Sequence, residues 1–365
     1  MVWTILKKKR FYGLLIALGF LVYSFWGIDL AGAWAAFRRI EPWYFIPVMA
    51  GVFLIPVIRA QRLKVIFEKE KAIAGQKVFS VYNVAQLLNI SLPALTGQVA
   101  RVLFFSRMFG LTKTFSFTMV MLEVLFDGLT MVVFIFAASS LVVLPGWLVR
   151  GEVVILLACV LLFGFFYFAL HRQEKRTRTV SRWMLRLPRR WVREWINVSH
   201  SFLAGLRMLR SGRALLLSVV LSLGSWLAHA LAVFSLLHAF QFELPFWGAL
   251  IILIVNTIVI MVPISPGNLG TFQVACIFGL SFFGIPKESA LSFSLVLHAA
   301  ETLPVLALGL YYSLSTHVRL KEYQTPEVLR EREYLATREY PFDASDTAEP
   351  PDIPRKPADG PTEES

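Results

Sequence analysis

The sequence predicts an all-α polytopic membrane protein with about six transmembrane helices and two re-entrant helical hairpins in an inverted repeat. Hydrophobic residues make up 56% of its 365 positions and charged residues only 16%, whereas roughly 25% of a soluble domain is charged. Several apolar runs reach the roughly 20 residues that a helix needs to cross a bilayer. This composition excludes a disordered chain, a collagen, a coiled coil and a secreted disulfide scaffold for most of the sequence.

Six apolar runs are long and uninterrupted enough to be predicted as spans. They are residues 11–28, 43–58, 115–144, 152–170, 214–241 and 289–314. The first follows a cluster of four basic residues, and its apolar core is longer than the roughly 7–15 residues of a signal peptide. We therefore expect it to remain as an uncleaved span.

Two other stretches, 79–109 and 246–283, are apolar but repeatedly interrupted by polar residues, Gly and Pro. Irregular backbone at membrane depth survives only where protein or a water-filled cavity covers it, which predicts two re-entrant hairpins. Their breaks fall at Pro93, Gly97, Pro266, Gly267, Asn268 and Gly270. A helix beginning at Thr271 would aim its positive end into the site, where an anion is favoured. If the hairpin arms are full spans instead, hydropathy counts about eight segments.

An internal repeat relates residues 79–144 to residues 246–314. The landmarks are Pro93, Gly97, Gly110, Lys113 and Asp127 in the first unit and Pro266, Gly270, Gly284, Lys287 and Glu301 in the second. Their order is the same, and the second glycine precedes the acid by seventeen residues in both units. The units run in opposite directions in the predicted topology, a plan that recurs in transporters with the substrate site at the repeat interface. The alternative is a coincidence among common residue types.

The distribution of Lys and Arg predicts that both termini are cytoplasmic. The two strongly basic loops, 59–77 and 171–213, then fall on the cytoplasmic side, as the positive-inside rule requires. Segment 171–213 carries twelve Lys and Arg against two Glu, which predicts an amphipathic helix on an anionic leaflet. Residues 1–316 form the predicted membrane domain, and residues 317–365 form a charged, Pro-rich tail with an end expected to be disordered. This topology accounts for the net charge of +12, so no nucleic-acid partner is expected.

Four ionisable residues of the first repeat are candidates for a binding site. Glu123 and Asp127 are four residues apart and share one helix face, and ionisable residues within a span usually face a cavity or a partner. They could bind a cation, a headgroup or protons, or form a structural ion pair with Arg101 or Arg107. Arginine matches phosphate with two hydrogen bonds, and Arg101 is the closer of the two to the predicted break. Its alternative role is a snorkelling anchor.

Histidines mark the later spans. His298 and Glu301 lie three residues apart on the last predicted span, and a histidine beside a carboxylate can titrate near neutral pH. That arrangement would suit proton coupling, and the alternative is an interhelical hydrogen bond. His229 and His238 stand alone in an apolar span, and we predict that they are packing residues.

No motif in the sequence indicates an enzyme, a metal centre or a cofactor. A Walker loop, a Gly-x-Ser-x-Gly elbow, a His-Glu-x-x-His helix and a Cys/His ligand cluster are all missing from it. Cys159 and Cys276 each lie in an apolar run and are predicted to be buried thiols.

The two broken stretches resemble the lysylphosphatidylglycerol synthase transmembrane family, also called flippase-like or UPF0104-type membrane proteins. The matching motifs are Asn89–Arg101 followed by Glu123 and Asp127, and Pro263–Gln273 followed by Phe283–Pro286 and the span from Glu301 to Gly309. The resemblance covers about residues 5–316. It implies a lipid-translocating domain without synthase activity, with Asn89, Gln98 and Gln273 among the substrate-binding residues. Because Gln98 and Gln273 often correspond to Glu in the family pattern, the loss of two carboxylates favours an anionic lipid over a cationic one.

The expected function is the movement of a phospholipid or polyprenyl-phosphate-type headgroup across the bacterial inner membrane. The expected partners are membrane lipids with an anionic headgroup. One alternative is a non-transporting scaffold that docks a lipid-modifying or glycosyl-transferring enzyme through the basic segment and the tail. Another is a small-solute transporter, which would need a cavity closed to the lipid.

Overall fold

A computed structural model of the chain describes residues 29–68, 72–91, 95–140, 146–176, 201–260 and 266–315. The regular structure in these ranges is helical. The helices are α1 (Leu30–Arg38), α2 (Phe45–Phe67), α3 (Gly75–Ser91), α4 (Leu95–Phe109), α5 (Lys113–Ser139), α6 (Gly146–Arg176), α7 (Gly212–Ala239), α8 (Phe246–Ile260), α9 (Thr271–Ser281) and α10 (Lys287–Ser315). The predicted span 11–28, residues 177–200 of the basic segment and the tail lie outside the described residues.

Four of the described helices are long and apolar enough to cross a membrane, namely α2 with the turn before it, α5, α7 and α10. Each matches a predicted span, as expected of an all-helical polytopic membrane protein. The predicted span 152–170 lies within α6, whose described apolar core, Leu156–Phe166, is shorter than a full span.

The predicted end of the second span at residue 58 is wrong. Helix α2 continues to Phe67, and Arg59 and Arg62 lie inside it. The helix can continue because Leu63, Ile66 and Phe67 are buried against the rest of the protein. Its arginines therefore face the protein interior and do not mark a membrane boundary.

Both broken stretches are pairs of short helices, as the hairpin prediction requires. In the second, the part of the connection to α9 that the structure describes begins with a 3-10 turn, Pro266–Asn268, in which Gly267 and Asn268 have φ of 59° and 56°. Gly270 has φ of 82° and caps α9, which begins at the predicted Thr271. In the first pair α3 ends at Ser91 and α4 begins at Leu95, and residues 92–94, among them the predicted break residue Pro93, lie outside the described residues.

Gly97 is inside helix α4 and not at the break where it was predicted. A methyl group added at Gly97 would lie 2.6 Å from the backbone oxygen of Asn89. The glycine therefore lets α4 fold back closely against the end of α3. Its role is close packing of the hairpin arms.

The contacts of α7 fix the relative directions of the two acidic helices. Beside α5, the segment before α7 contacts Thr118 through Gly205, and further along α7 the Trp226 side chain reaches Asp127. Helices α5 and α7 therefore run in the same direction. Along α10 the order is reversed, because Phe293 packs on Phe240 beyond the end of α7 while Glu301 meets His229 in its middle. The acidic helices of the two repeats are thus antiparallel, as an inverted repeat requires.

Close helix contacts bring the two breaks together. A methyl group at Gly309 of α10 would lie 2.6 Å from the Cβ atom of Leu87 in α3. At the end of α3, the backbone oxygen of Ile90 would lie 3.8 Å from a methyl group at Gly267. The turn of the second hairpin therefore lies next to the end of the first arm of the other hairpin.

Helices α2 and α7 pack with almost no space between their backbones. A methyl group at Gly51 of α2 would lie 2.9 Å from the backbone oxygen of Ala228 and 3.0 Å from the Cβ atom of Ala232. Small residues on both sides make such an approach possible, as in many membrane helix pairs. This contact places the arginines of α2 beside the polar side chains of α7.

Candidate functional site

A cluster of buried charges lies where α2, α5 and α7 meet. The guanidinium of Arg62 donates to Asp127 Oδ1 at 2.6 Å and to the hydroxyl of Ser222 at 2.7 Å. The indole N–H of Trp226 donates to the same carboxylate oxygen at 3.2 Å. Because Arg62 is only 1% exposed, its charge depends on these partners for stabilisation.

A second ion pair joins α4 to α5 within the same cluster. Arg101 contacts Glu123, and both side chains are buried. The Arg101 guanidinium also lies over the rings of Tyr82 and Phe105, at 5.7 Å and 5.3 Å from their centroids. Glu123 is 3.9 Å from Arg62 as well. Of the two alternatives that the sequence left open for these residues, the ion pair is therefore present in the structure.

Arg59 is the third arginine of the cluster, one turn before Arg62. Its guanidinium lies 5.9 Å from the ring centroid of Trp226, and the Tyr82 hydroxyl is a nearby polar group. The Nε atom of Arg59 is buried and has no hydrogen-bond partner. Asp127 and Glu123 attract Arg59 through space, but the described contacts of both carboxylates are to other groups.

The prediction that His229 is a packing residue is wrong. Its Nε2 atom lies 2.6 Å from Glu301 Oε1, and both side chains are about one-fifth exposed. No local pattern indicates this contact, because the partners are 72 positions apart in the sequence. His238 does pack as expected, with its ring 4.4 Å from that of Phe234.

His298 does not contact Glu301 directly and belongs to a separate hydrogen-bond network at the second break. Gln273 Oε1 accepts from the backbone N–H of Gly270 at 2.8 Å, so its Nε2 is the group that faces His298 Nδ1 at 3.1 Å. His298 Nε2 lies 2.9 Å from the carbonyl oxygen of Gly267. Since an amide N–H donates, Nδ1 accepts and the ring proton is on Nε2, which donates to Gly267. The network therefore holds a neutral histidine.

This network also changes the expectation for the start of α9. The N–H of Gly270 was predicted to be open to an anion, but it is bound by Gln273. The Gln273 side chain is buried, and the His298 ring stacks on Phe272 at 4.4 Å. In this arrangement the second break is closed by its own side chains.

Helix α7 connects the acids of the two repeats. Trp226 and His229 lie three residues apart, so their side chains share one face of the helix, and their ring centroids are 6.3 Å apart. Trp226 donates to Asp127 and His229 contacts Glu301. The carboxylates that hold equivalent places in the two repeats are thus contacted by adjacent turns of one helix.

The remaining predicted site residues differ in how deeply they are buried. Gln98 is partly buried, and its Oε1 atom is buried without a hydrogen-bond partner. Asn89 is partly buried beside Gly97. Arg107 is exposed at the last turn of α4 and so does not join the cluster.

Sequence reasoning missed Arg59 and Arg62, because an arginine at the end of an apolar run is usually a membrane anchor. The sequence around these two arginines nevertheless contains a pattern that indicates internal partners. The apolar pattern continues past both residues, and their spacing of three places them on one helix face. Charges that lie inside a continuing apolar helix point to internal partners.

Several buried polar side-chain atoms in the described part of the chain have no hydrogen-bond partner, and four of them belong to the arginines and Glu123 of the cluster. These atoms are the Nε atoms of Arg59, Arg62 and Arg101, the amide oxygens of Gln86, Gln98 and Asn256, Glu123 Oε1, and the hydroxyls of Ser116 and Ser218. Buried polar groups are normally paired, and unpaired ones call for water, an ion or a ligand. The region around the cluster therefore has the polar capacity to bind a further molecule.

Comparison with known protein families gives one match for this chain. Residues 10–309 match the family model described as the lysylphosphatidylglycerol synthase TM region. Neither the curated proteins nor the solved structures contain a significant match to the chain.

Proposed function

Because the chain belongs to the lysylphosphatidylglycerol synthase transmembrane family, we propose that it is a lipid translocase and not an enzyme. The substrate headgroup would cross the membrane through the polar region between the two repeats. The lipid tails would remain in the bilayer. The protein would lie in the bacterial inner membrane with both termini in the cytoplasm.

The observation that carries this proposal is the contact of α7 with the acids of both repeats. Ionisable side chains at mid-helix are costly in a membrane and usually line a pathway or bind a partner. Asp127 and Glu301 lie near the middle of α5 and α10. The site therefore lies where inverted-repeat transporters bind their substrates, at the repeat interface.

The charge of the cluster favours an anionic headgroup. Three guanidinium groups, of Arg59, Arg62 and Arg101, face two carboxylates, of Glu123 and Asp127. Guanidinium groups bind phosphate with paired, charge-assisted hydrogen bonds. We propose a phospholipid or a polyprenyl-phosphate-type lipid as the substrate class.

We propose that the two ion pairs control the entry of the lipid headgroup. When no lipid is bound, Arg62–Asp127 and Arg101–Glu123 compensate one another's charges. A lipid phosphate would compete with the carboxylates for the arginines and would shift the pairing. Because a ligand moves a conformational equilibrium only by binding one state more tightly, this exchange would couple headgroup entry to rearrangement of α5 against α2.

The test is a translocation assay with purified protein in liposomes. Fluorescent phosphatidylglycerol and phosphatidylcholine would be compared, and the inner-leaflet fraction would be followed by dithionite quenching. We expect the wild type to move phosphatidylglycerol faster. Asp127→Asn should slow that movement by about tenfold, which corresponds to about 1.4 kcal/mol on the barrier.

The matched control is Glu68→Gln, which makes a carboxylate-to-amide change at an exposed position paired only with Lys64 at 4.0 Å. This variant should move lipid at the wild-type rate. If the wild type moved neither lipid faster than protein-free liposomes do, the translocase proposal would be abandoned in favour of a scaffold role.

A further inference from the structure

We propose that Arg59, together with the hydroxyl of Tyr82, is the binding site for the phosphate group of the ligand. This inference rests on the proposed function for its lipid context, but the anion site itself is argued from contacts alone. It assigns the phosphate to a residue for which the sequence suggested no binding role.

The first argument is the pairing of charges in the cluster. Asp127 contacts Arg62 and Glu123 contacts Arg101, so each of these arginines has a carboxylate. In the described part of the chain, Arg59 forms no salt bridge. The cluster thus holds three guanidinium groups against two carboxylates, and an anionic ligand would supply the missing negative charge.

Glu301 does not fill this place. Its carboxylate oxygen lies 2.6 Å from His229, so the described contact of Glu301 is to the histidine one turn further along α7 than Trp226. Arg59 lies over the ring of Trp226 itself. Glu301 therefore contacts His229 and does not supply a carboxylate contact to Arg59.

The second argument is the shape of the site around Arg59. Trp226 lies against the guanidinium on one side, at 5.9 Å from its ring centroid, and the Tyr82 hydroxyl is a nearby polar group. A tyrosine oxygen that accepts from arginine still has its own O–H to donate. Arginine N–H groups and the tyrosine O–H would then converge on one set of acceptor oxygens.

The third argument is access. Arg59 is partly exposed, whereas Arg62, Tyr82 and Glu123 are buried. Arg59 and Asp127, which is 26% exposed, are thus the residues of the cluster that a ligand can reach first. Arg101, the residue that the sequence favoured for phosphate, is already in contact with Glu123 and would have to leave a buried carboxylate to take this role.

These features fit a phosphate monoester or diester. Its oxygens can accept two parallel N–H bonds from one guanidinium and a third bond from a hydroxyl. The same chemistry is present in a lipid headgroup and in free phosphate, so the probes must separate the two sources.

Binding should be measured by titration calorimetry on the full-length protein in a neutral detergent. The probes are dioctanoyl phosphatidic acid, dioctanoyl phosphatidylcholine and inorganic phosphate. We expect Arg59→Gln to weaken phosphatidic acid binding by at least about tenfold, with Arg59→Lys intermediate because it keeps the charge but loses the planar fork. The control is Lys64→Gln on the same helix, a partly exposed cation paired with Glu68, which should bind like the wild type.

Each outcome bears on the proposal. Unchanged binding by Arg59→Gln would overturn it, as would loss of binding only in Arg101→Gln. If Arg59→Gln does not fold, Tyr82→Phe removes one hydroxyl from the site and should still weaken binding measurably; wild-type affinity in that variant would also overturn the proposal. Equal affinity for inorganic phosphate and phosphatidic acid would support the anion site with free phosphate as its source, and tighter binding of phosphatidic acid would support the lipid.

Failure of this inference is distinguishable from failure of the proposed function. Binding that depends on Arg59, without lipid translocation in liposomes, would overturn the translocase and leave the anion site. Translocation that is unaffected by Arg59→Gln would overturn the anion site and leave the translocase.

Discussion

The Nε2 atom of His229 lies 2.6 Å from a carboxylate oxygen of Glu301, so α7 and α10 are joined by a polar contact in the middle of two apolar helices. Removing one partner leaves the other without its contact in a largely buried site. The contact is therefore expected to contribute to stability as well as to any transport cycle.

The first prediction concerns this pair. His229→Leu should lower the free energy of unfolding by about 1–3 kcal/mol, because Glu301 loses its hydrogen-bond partner. The measurement is thermal unfolding in detergent, followed by intrinsic fluorescence. Glu301→Leu and the double variant complete a mutant cycle, in which the double variant should be less destabilised than the sum of the single effects. Strict additivity would show that the two residues are not energetically coupled.

The second prediction concerns Arg101 and Glu123. Arg101→Ala leaves a carboxylate that is only 3% exposed, with Arg62 still 3.9 Å away. Breaking a buried pair from one side costs about 3–5 kcal/mol, so this variant should give a low yield of monodisperse protein on size-exclusion chromatography. Arg107→Ala changes an exposed arginine of the same helix and should behave like the wild type. A fully stable Arg101→Ala would mean that the ion pair contributes little.

The third prediction compares two helical glycines. Gly51→Ala should destabilise the protein, because the new methyl group would lie 2.9 Å from a backbone oxygen of α7. Gly164→Ala is the matched control, since a methyl group there meets no atom within 4 Å; it should be neutral or stabilising by up to about 1 kcal/mol from helix propensity. Unfolding temperatures of the two variants give the comparison. Equal shifts would contradict the close contact of α2 with α7.

The fourth prediction concerns Gln273 and a pH dependence that its replacement should create. In Gln273→Glu the carboxylate can still accept from Gly270 but cannot donate to His298 Nδ1. Protonation of His298 would restore that hydrogen bond. Native protein would then bind the proton more tightly than unfolded protein, so the stabilisation is present at low pH and lost as the pH rises.

The measurement is unfolding of this variant relative to the wild type, from about one unit below to one unit above the usual histidine pKa of about 6.5. The loss of unfolding free energy in Gln273→Glu, relative to the wild type, should become smaller as the pH is lowered. Besides Gln273, His298 is next to Phe272, the carbonyl of Gly267 and, on its own helix, the charge of Glu301. Gln273→Met serves as the control, because it removes both hydrogen bonds and should show a deficit that does not depend on pH. A constant deficit in Gln273→Glu would contradict the neutral state inferred for His298.

The helices were predictable because the apolar runs and their interruptions are local properties of the sequence. The spans 214–241 and 289–314 differ from the observed helices α7 and α10 by only one or two residues at each end. Two helices are longer than predicted: α6 extends six residues beyond each end of the predicted span 152–170, and α2 continues past Arg59 and Arg62, which were expected to end its span. Their partners lie on other helices, and a single sequence does not show which distant residues meet.

The difference between local patterns and distant contacts also explains which site residues could be predicted. Glu123 and Asp127 stand out as acids within an apolar run, and their shared face follows from helical spacing. The partner of Glu301 was expected at His298, three residues away, but is His229 on another helix. Helical spacing identifies which residues can share a face, while packing between helices decides which of them form contacts.

The close approach at Gly51 has a mechanical consequence. Because backbone atoms of α2 and α7 are separated by little more than van der Waals distance, these two helices cannot slide past each other without a steric collision. They form a stationary frame, and Arg59 and Arg62 are fixed to one half of it while Trp226 and His229 are fixed to the other. Conformational change during a transport cycle should then be confined to the elements around this frame, above all the two broken helix pairs. A cross-link between α2 and α7 should therefore leave the transport cycle unaffected.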